Sequence, residues 1–295
     1  MTRQPRAVVC IARGAACAAA LAVWVSLPVL GTARLAAGVD ARAAMVRIPA
    51  GSYVPLYAPP APPREVVGKR TATWRLGRST VAGFDIDLHA VTNGEFLEFV
   101  TSHPEWRRSR VKSLFADASY LHHWRGDLEL GDTAPRASPV VYVSWFAARA
   151  YLRAAGKRLP TVDQWEYVAA ASETRRDASR DPMFLERLRV WYGQPTLVPL
   201  PAVGSGLHNI YGVRDLHGLI WEWTEDFNSS LVTGESRADS SLDRGLYCGS
   251  GAAGASDFKD YASFMRVAFR SSLEARYTVG NLGFRGVAPI PEGSR

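Results

Sequence analysis

Glu222 is the residue whose chemistry most needs an explanation, because it stands between Trp221 and Trp223. Bulky aromatic side chains are stabilised by burial, and a carboxylate buried among them requires a partner. Upstream, Asp215 precedes a glycine-punctuated turn at Gly218. Together, the side chains of Asp215 and Glu222 and the backbone carbonyls of Gly218 and Ile220 make an oxygen set of the kind that a hard cation such as calcium accepts, with water completing the shell. The spacing is not that of an EF-hand loop. The competing reading has Asp215 capping a turn and Glu222 paired with an arginine.

Other stretches carry weaker chemical signals. Gly249-Ser250-Gly251-Ala252-Ala253-Gly254 fits the dinucleotide pattern G-x-G-x-x-G, and Glu274 stands roughly where a ribose-binding acid would. However, that pattern needs a strand, a helix and a further alternation of both, and the chain has neither the pattern nor enough residues after Gly254. Ser250 is not a nucleophile elbow, since Cys248 replaces the first glycine of G-x-S-x-G. Cys248 has Arg244 but no histidine near it in sequence, so a passive, half-buried thiol is favoured over a reactive one. The neighbouring His122 and His123 lack a third ligand at a recognisable spacing, which favours loop packing over metal binding.

The 295-residue chain is 47% hydrophobic, enough for a sizeable core, and carries a formal charge of +7. Most of that excess sits in residues 1–44, where Arg3, Arg6, Arg13, Arg34 and Arg42 face Asp40 alone. The basic balance therefore gives no argument for a nucleic-acid partner. Arg3 and Arg6 followed by the apolar run 15–30, and then small-x-small patterns at 31–33 and 41–43, are expected to form a cleaved signal peptide. An uncleaved N-terminal anchor is the alternative, and it would be the protein's one membrane contact. Either way, residues 1–44 are expected to direct export to the periplasm or beyond, and 45–295 to form one domain. Cys10 and Cys17 belong to the leader, so the body retains Cys248 alone and no internal disulfide.

The elements that must position these residues are short. Residues 45–53 read as a strand broken at Pro49-Ala50-Gly51, and 81–87 as a second strand. Residues 55–63 are proline-rich loop. Thr92-Asn93-Gly94-Glu95 is a capping box that opens a helix with Phe96, Leu97, Phe99 and Val100 at helical spacing. Residues 103–138 show no periodicity. Residues 139–144 read as a strand running into a helix whose stripe is Trp145, Ala148, Tyr151 and Leu152, stopped at Gly156. Thr161-Val162-Asp163-Gln164 is a further capping box, with Trp165, Val168 and Ala169 facing inward. A helix is expected near 183–190 within a long connection, and short strand-like runs thereafter. Few helices, many short strands and long loops indicate an irregular α+β fold.

The chain resembles the formylglycine-generating-enzyme, or sulfatase-modifying-factor, family. The matching blocks are Met45-Val-x-Ile-Pro-Ala-Gly-Ser52, Val91-Thr-Asn-x-x-Phe96, Pro139-Val-Val-x-Val-Ser-Trp145, Gly156-Lys-Arg-Leu-Pro-Thr161 with Trp165-Glu-Tyr167, Trp221-Glu-Trp-Thr224, and Asn281-Leu-Gly-Phe-Arg285. The resemblance implies a variant of the C-type-lectin fold and a structural calcium ion at Asp215, Gly218, Ile220 and Glu222. It also places Trp221 and Ser250 on the wall of the family's substrate pocket. The family's oxidases bind copper(I) through two cysteines that lie between a Gly-Gly-Ser-like and an Ala-x-Arg-Ser-like block. Here those blocks are Cys248-Gly249-Ser250 and Ala268-Phe269-Arg270-Ser271, with no cysteine between them. Counting back from Arg270 puts Asp257 and Ala262 at the cysteine positions, and counting forward from Ser250 puts Ala253 at the first; neither register finds a cysteine. Without two thiolates there is no soft copper(I) site, so copper is not expected.

These residues imply an exported accessory protein, in the first reading a maturation enzyme acting on a peptide-like or protein substrate without copper. Asp257, Lys259, Asp260, Tyr261 and Arg270 are then the candidates for acid–base or substrate contacts, by location. A second reading is a non-catalytic binding or assembly factor for an exported partner. A third, weaker one is a formylglycine-generating oxidase that relies on Cys248. The family includes cysteine-less exported members, some in siderophore chromophore maturation and some beside copper nitrite reductase genes.

Overall fold

The computed structural model describes residues 45–55, 78–228, 261–291 and 293. Residues 1–44, 56–63 of the proline-rich stretch, Cys248, the glycine run at 249–254 with Ser250, Asp257, Lys259 and Asp260 lie outside them.

The opening strand is broken where proline interrupts it. β1 (Met45–Ile48) and β2 (Gly51–Tyr53) flank Pro49-Ala50, and β3 (Ser79–Val81) and β4 (Phe84–Asp87) flank Ala82-Gly83. The two breaks face each other. Ile48 pairs with Phe84 on one side and Gly51 with Val81 on the other. One continuous ladder thereby becomes two sheets. The first is antiparallel, with order β1-β4-β7, β7 being Val287–Pro289. The second is the β2-β3 pair. A third, parallel pair joins β5 (Trp221–Glu222) to β6 (Leu282–Gly283). A Cβ at Gly283 would overlap the Val140 carbonyl oxygen, so only glycine lets β6 lie this close to residues 140–144.

Both capping boxes are formed. In α1 (Asn93–Ser102) the Glu95 amide donates to Thr92 Oγ1 at 3.2 Å, and the Thr92 amide donates to Glu95 Oε2 at 2.7 Å. Thr161 and Gln164 repeat the exchange at the start of α3 (Val162–Ala169). α2 (Trp145–Ala154) ends just before Gly156, which takes φ +67°. α4 (Pro182–Tyr192) starts on the Asp181 side chain with proline in its first turn. Among the described residues, no helix is long and apolar enough to cross a membrane.

Two expectations about these elements need correcting. Residues 139–144 form no strand beyond an isolated bridge from Pro139 to Thr92. Tyr142 has φ +54°, and the amides of Val140 and Tyr142 donate to Val91 and Val279, on opposite sides of the chain. A continuous ladder with one neighbour is impossible with such divided partners. Conversely, residues 261–271, expected among short strand-like runs, form the helix α5 (Tyr261–Ser271). The buried positions of α5 include Ala262, Ser263, Arg266 and Arg270. Tyr261, Phe264, Met265, Ala268 and Phe269 recur at helical spacing, so the sequence does carry a helix signal here.

The largest core cluster gathers Phe96, Tyr120, Trp124, Leu152, Trp223 and Phe284 between α1, α2 and the β5-β6 pair. A second joins Ile48, Phe84, Ile86 and Val287 to Trp165 and Val168 of α3. Burying one such aromatic or aliphatic side chain contributes roughly 1.5–3 kcal/mol, so these clusters fix where α3 and β5 stand.

Candidate functional site

Trp165 and Glu166 are adjacent on α3 and serve two different buried charge networks. The first belongs to Glu222. Its side chain and that of Arg285 are both 0% exposed. Arg285 Nε donates to Glu222 Oε1 and Oε2 at 2.9 and 2.8 Å, Nη2 donates to Oε1 at 2.7 Å, and Trp165 Nε1 donates to Oε2 at 2.8 Å. The remaining arginine hydrogens go to backbone carbonyls, Nη1 to Asp87 at 3.3 Å and Nη2 to Arg214 at 3.1 Å. This is a buried ion pair with its hydrogen-bonding capacity filled on both sides.

Asp215 is separately engaged. It is 2% exposed, takes φ +53°, and accepts the amides of Gly204 and Gly206, the latter at 2.8 Å. Gly218 (φ +97°) backs onto Trp191, and Ile220 is buried beside Ala90 and Val141. The donor set expected to cage calcium therefore does not fit the ion in this arrangement. Glu222 has its oxygens committed to Arg285 and Trp165, and its charge is already balanced. The competing reading, a turn cap at Asp215 and an arginine partner for Glu222, describes the observed contacts.

The second network belongs to Glu166, whose side chain is 15% exposed. Arg266 approaches it side-on, with Nε to Oε1 at 2.9 Å and Nη2 to Oε2 at 2.8 Å. Arg270 touches it end-on, with Nη1 to Oε1 at 2.5 Å. Burial alone would raise the Glu166 carboxyl. The charges and hydrogen bonds of the two arginines together outweigh that and hold it at about 2. Both guanidinium groups lie over the Trp165 ring, Arg270 at 4.8 Å and Arg266 at 5.5 Å from its centroid. Arg266 also donates to the Tyr192 hydroxyl at 3.2 Å.

Around these networks stands an aromatic wall. Trp221 stacks on Phe269 of α5 with ring centroids 4.3 Å apart, and meets Tyr192 of α4 edge-on at 5.0 Å. α4 also covers Ala262, which is 2% exposed and packs with Ala178, Phe184 and Leu188. Ala262 is the position that the count from Arg270 aligns with the second copper-binding cysteine. An open cleft beside α4 is lined by Phe184, Leu188, Trp191, Leu216 and His217. His217 is held below its usual range, at about 4, by burial and then by the Arg266 charge. Its imidazole is therefore neutral, with Nε2–H donating to the Ala169 carbonyl at 2.9 Å.

Of the sequence-derived candidates, Arg270 lies over Trp165 of α3, Trp221 stacks on the neighbouring Phe269, and Tyr261 begins the same helix, α5. His123 is a packing residue, as expected: its Nε2 lies 3.1 Å from Asn93 Oδ1. Glu166, Arg266 and Tyr192 escaped the sequence reading. Glu166 carried a usable signal, because a carboxylate between Trp165 and Tyr167 raises the same question as Glu222 between two tryptophans.

Comparison with known proteins shows the family. A formylglycine-generating enzyme of Streptomyces coelicolor is 33% identical over 241 residues, which is 68% of this chain and 77% of that protein. Hercynine oxygenase of Mycobacterium tuberculosis is 31% identical over 161 residues, covering 49% of this chain and 38% of that one. The inactive C-alpha-formylglycine-generating enzyme 2 of Bos taurus is 35% identical over 187 residues, covering 49% and 60%. Residues 36–290 match the sulfatase-modifying factor enzyme 1-like domain, and the chain belongs to that family.

Proposed function

We propose that this chain is an exported sulfatase-modifying-factor-like binding protein. It holds a peptide-like segment of a partner at the frame around Trp221 and α5, without copper-dependent oxidation of a thiol. The observation that carries this reading is Ala262. At that position it offers a methyl group where the oxidases have a thiolate, and α4 packs over it through Phe184 and Leu188. A methyl group cannot bind copper(I). The relatives support the premise that one fold serves different ends, since their names include an oxygenase of hercynine and an inactive paralogue. Export rests on the composition of residues 1–44.

The test is to incubate the purified protein with a cysteine-containing peptide, copper(I) and oxygen, and to follow the peptide by mass spectrometry. No conversion of the thiol to an aldehyde is expected, while a peptide-affinity capture from the exported fraction retains a partner. Aldehyde formation that is abolished by Cys248→Ser would sink the proposal and restore the oxidase reading. A copper-free processing enzyme is the second reading, with Arg270, stacked over Trp165, as its candidate substrate contact. It requires that Asp257→Ala or Tyr261→Ala abolish processing of the partner in a protein that remains folded.

A further inference from the structure

His217 lines the cleft beside α4 and takes no part in the frame around Trp221. Its Nε2 stands 2.9 Å from the Ala169 carbonyl, so that nitrogen carries the proton and Nδ1 keeps a lone pair. Nδ1 is buried and, among the described residues, has no hydrogen-bond partner. A buried acceptor without a donor is destabilising. The rings of Trp165 and Phe184 meet the imidazole edge-on at 5.7 and 6.0 Å, and Trp165 spends its N–H on Glu222. Other polar side chains of the cleft are engaged elsewhere. Ser172 Oγ accepts the Arg175 amide at 3.1 Å, and Glu173 holds Arg187 through bonds of 2.7 and 2.8 Å. Asn209 donates to the Val168 carbonyl and accepts the Tyr211 and Val213 amides, each at 3.1 Å.

We propose that this cleft binds a neutral indole ring, whose N–H donates to His217 Nδ1 while its carbon edges pack on Phe184, Leu188, Trp191 and Leu216. The site is separate from the peptide frame around Trp221 and does not depend on that reading. Each part of the ligand answers something present in the cleft. Its walls are apolar, and Leu207 in the lining is 58% exposed. An apolar ring is therefore stabilised by burial there, and an aromatic one also by ring contacts with Phe184 and Trp191. The acceptor selects the polar group. A hydroxyl would carry lone pairs of its own in among the apolar walls, whereas an indole N–H is a donor only. An ammonium is a donor only as well, but a charge set between these walls is costly. The ring belongs to a tryptophan side chain of a partner or to a free indole, and the experiment separates the two.

The experiment is calorimetric titration of the full chain at neutral pH with indole, N-acetyltryptophanamide and benzofuran, which has the shape of indole without the N–H. Indole is expected to bind saturably and about tenfold more tightly than benzofuran, the usual effect of one hydrogen bond. Tighter binding of N-acetyltryptophanamide than of indole assigns the cleft to a partner's side chain, and the reverse order assigns it to a free small molecule; both support the ring site. The nitrogen NMR resonance of His217 Nδ1 should move with indole and stay in place with benzofuran. His217→Gln keeps an N–H for the Ala169 carbonyl but has no Nδ1, so it should level the two affinities. The comparison of indole with benzofuran is made on the wild type and holds even where that variant folds poorly. Equal wild-type affinities would mean that a water already satisfies Nδ1, and they overturn the proposal. Absence of saturable indole binding, or binding that leaves the Nδ1 resonance unmoved, overturns it too.

Discussion

Glu222 and Glu166 are two solutions to one physical problem, a carboxylate lodged between aromatic rings. Glu222 is fully matched by Arg285, so removing either partner leaves a lone charge where no water reaches. Glu222→Gln is expected to destabilise the fold by about 3–5 kcal/mol, the usual consequence of breaking a buried pair. The double variant Glu222→Gln, Arg285→Met should recover part of that loss, because both charges are then gone. Thermal melting of the single and double variants checks this. Simple addition of the two single effects would contradict direct pairing, since partners in contact are not additive. Running the same melts with a chelator separates the roles: a Glu222→Gln deficit that vanishes once calcium is removed would assign the residue to the ion rather than to Arg285.

At the scale of elements, α4 and α5 decide what kind of site the family frame becomes. A helix near 183–190 is expected without a cap to bound it, whereas α1 and α3 are marked by capping boxes that need only local hydrogen bonds. α5 too is legible, through the repeat Tyr261, Phe264, Met265, Ala268 and Phe269, but its role is not, because Arg266 and Arg270 are buried against Glu166. The partners of Arg266 and Arg270 lie about a hundred residues away in the chain, and no local pattern encodes that pairing. The seal between the two helices is apolar and small, so it is sensitive to single truncations. Leu188→Ala removes a buried side chain that faces Ala262 and should cost about 2–5 kcal/mol. Met183→Ala, on the same helix but 77% exposed, should leave stability nearly unchanged. Amide exchange in residues 182–192 should quicken in the first variant and not in the second. Equal exchange in both would mean that Leu188 does not hold α4 in place.

For the whole molecule, three perturbed groups make stability depend on pH in one direction. Burial, reinforced by His122 and Arg108, lowers His123 to about 4, and burial with Arg266 lowers His217 to about 4. In the unfolded chain both titrate near 6.5, so that state binds protons more readily as pH falls. Their contribution is complete above pH 6.5 and is lost as pH drops through 4. Glu166, held at about 2 against 4.5 for a free carboxyl, continues the loss between those two values. Asp87 opposes the trend, since burial raises its carboxyl despite Lys157. Each histidine is worth on the order of 3 kcal/mol by the usual conversion. The melting temperature should therefore begin to fall near pH 6.5, well before carboxylates titrate. His217→Gln, which retains an N–H for the Ala169 carbonyl, should remove roughly half of the stage between pH 6.5 and 4, the His123 half remaining, and leave the lower one. A wild-type melting temperature that stays level from pH 8 to 4.5 would show that these imidazoles are not buried as neutral groups.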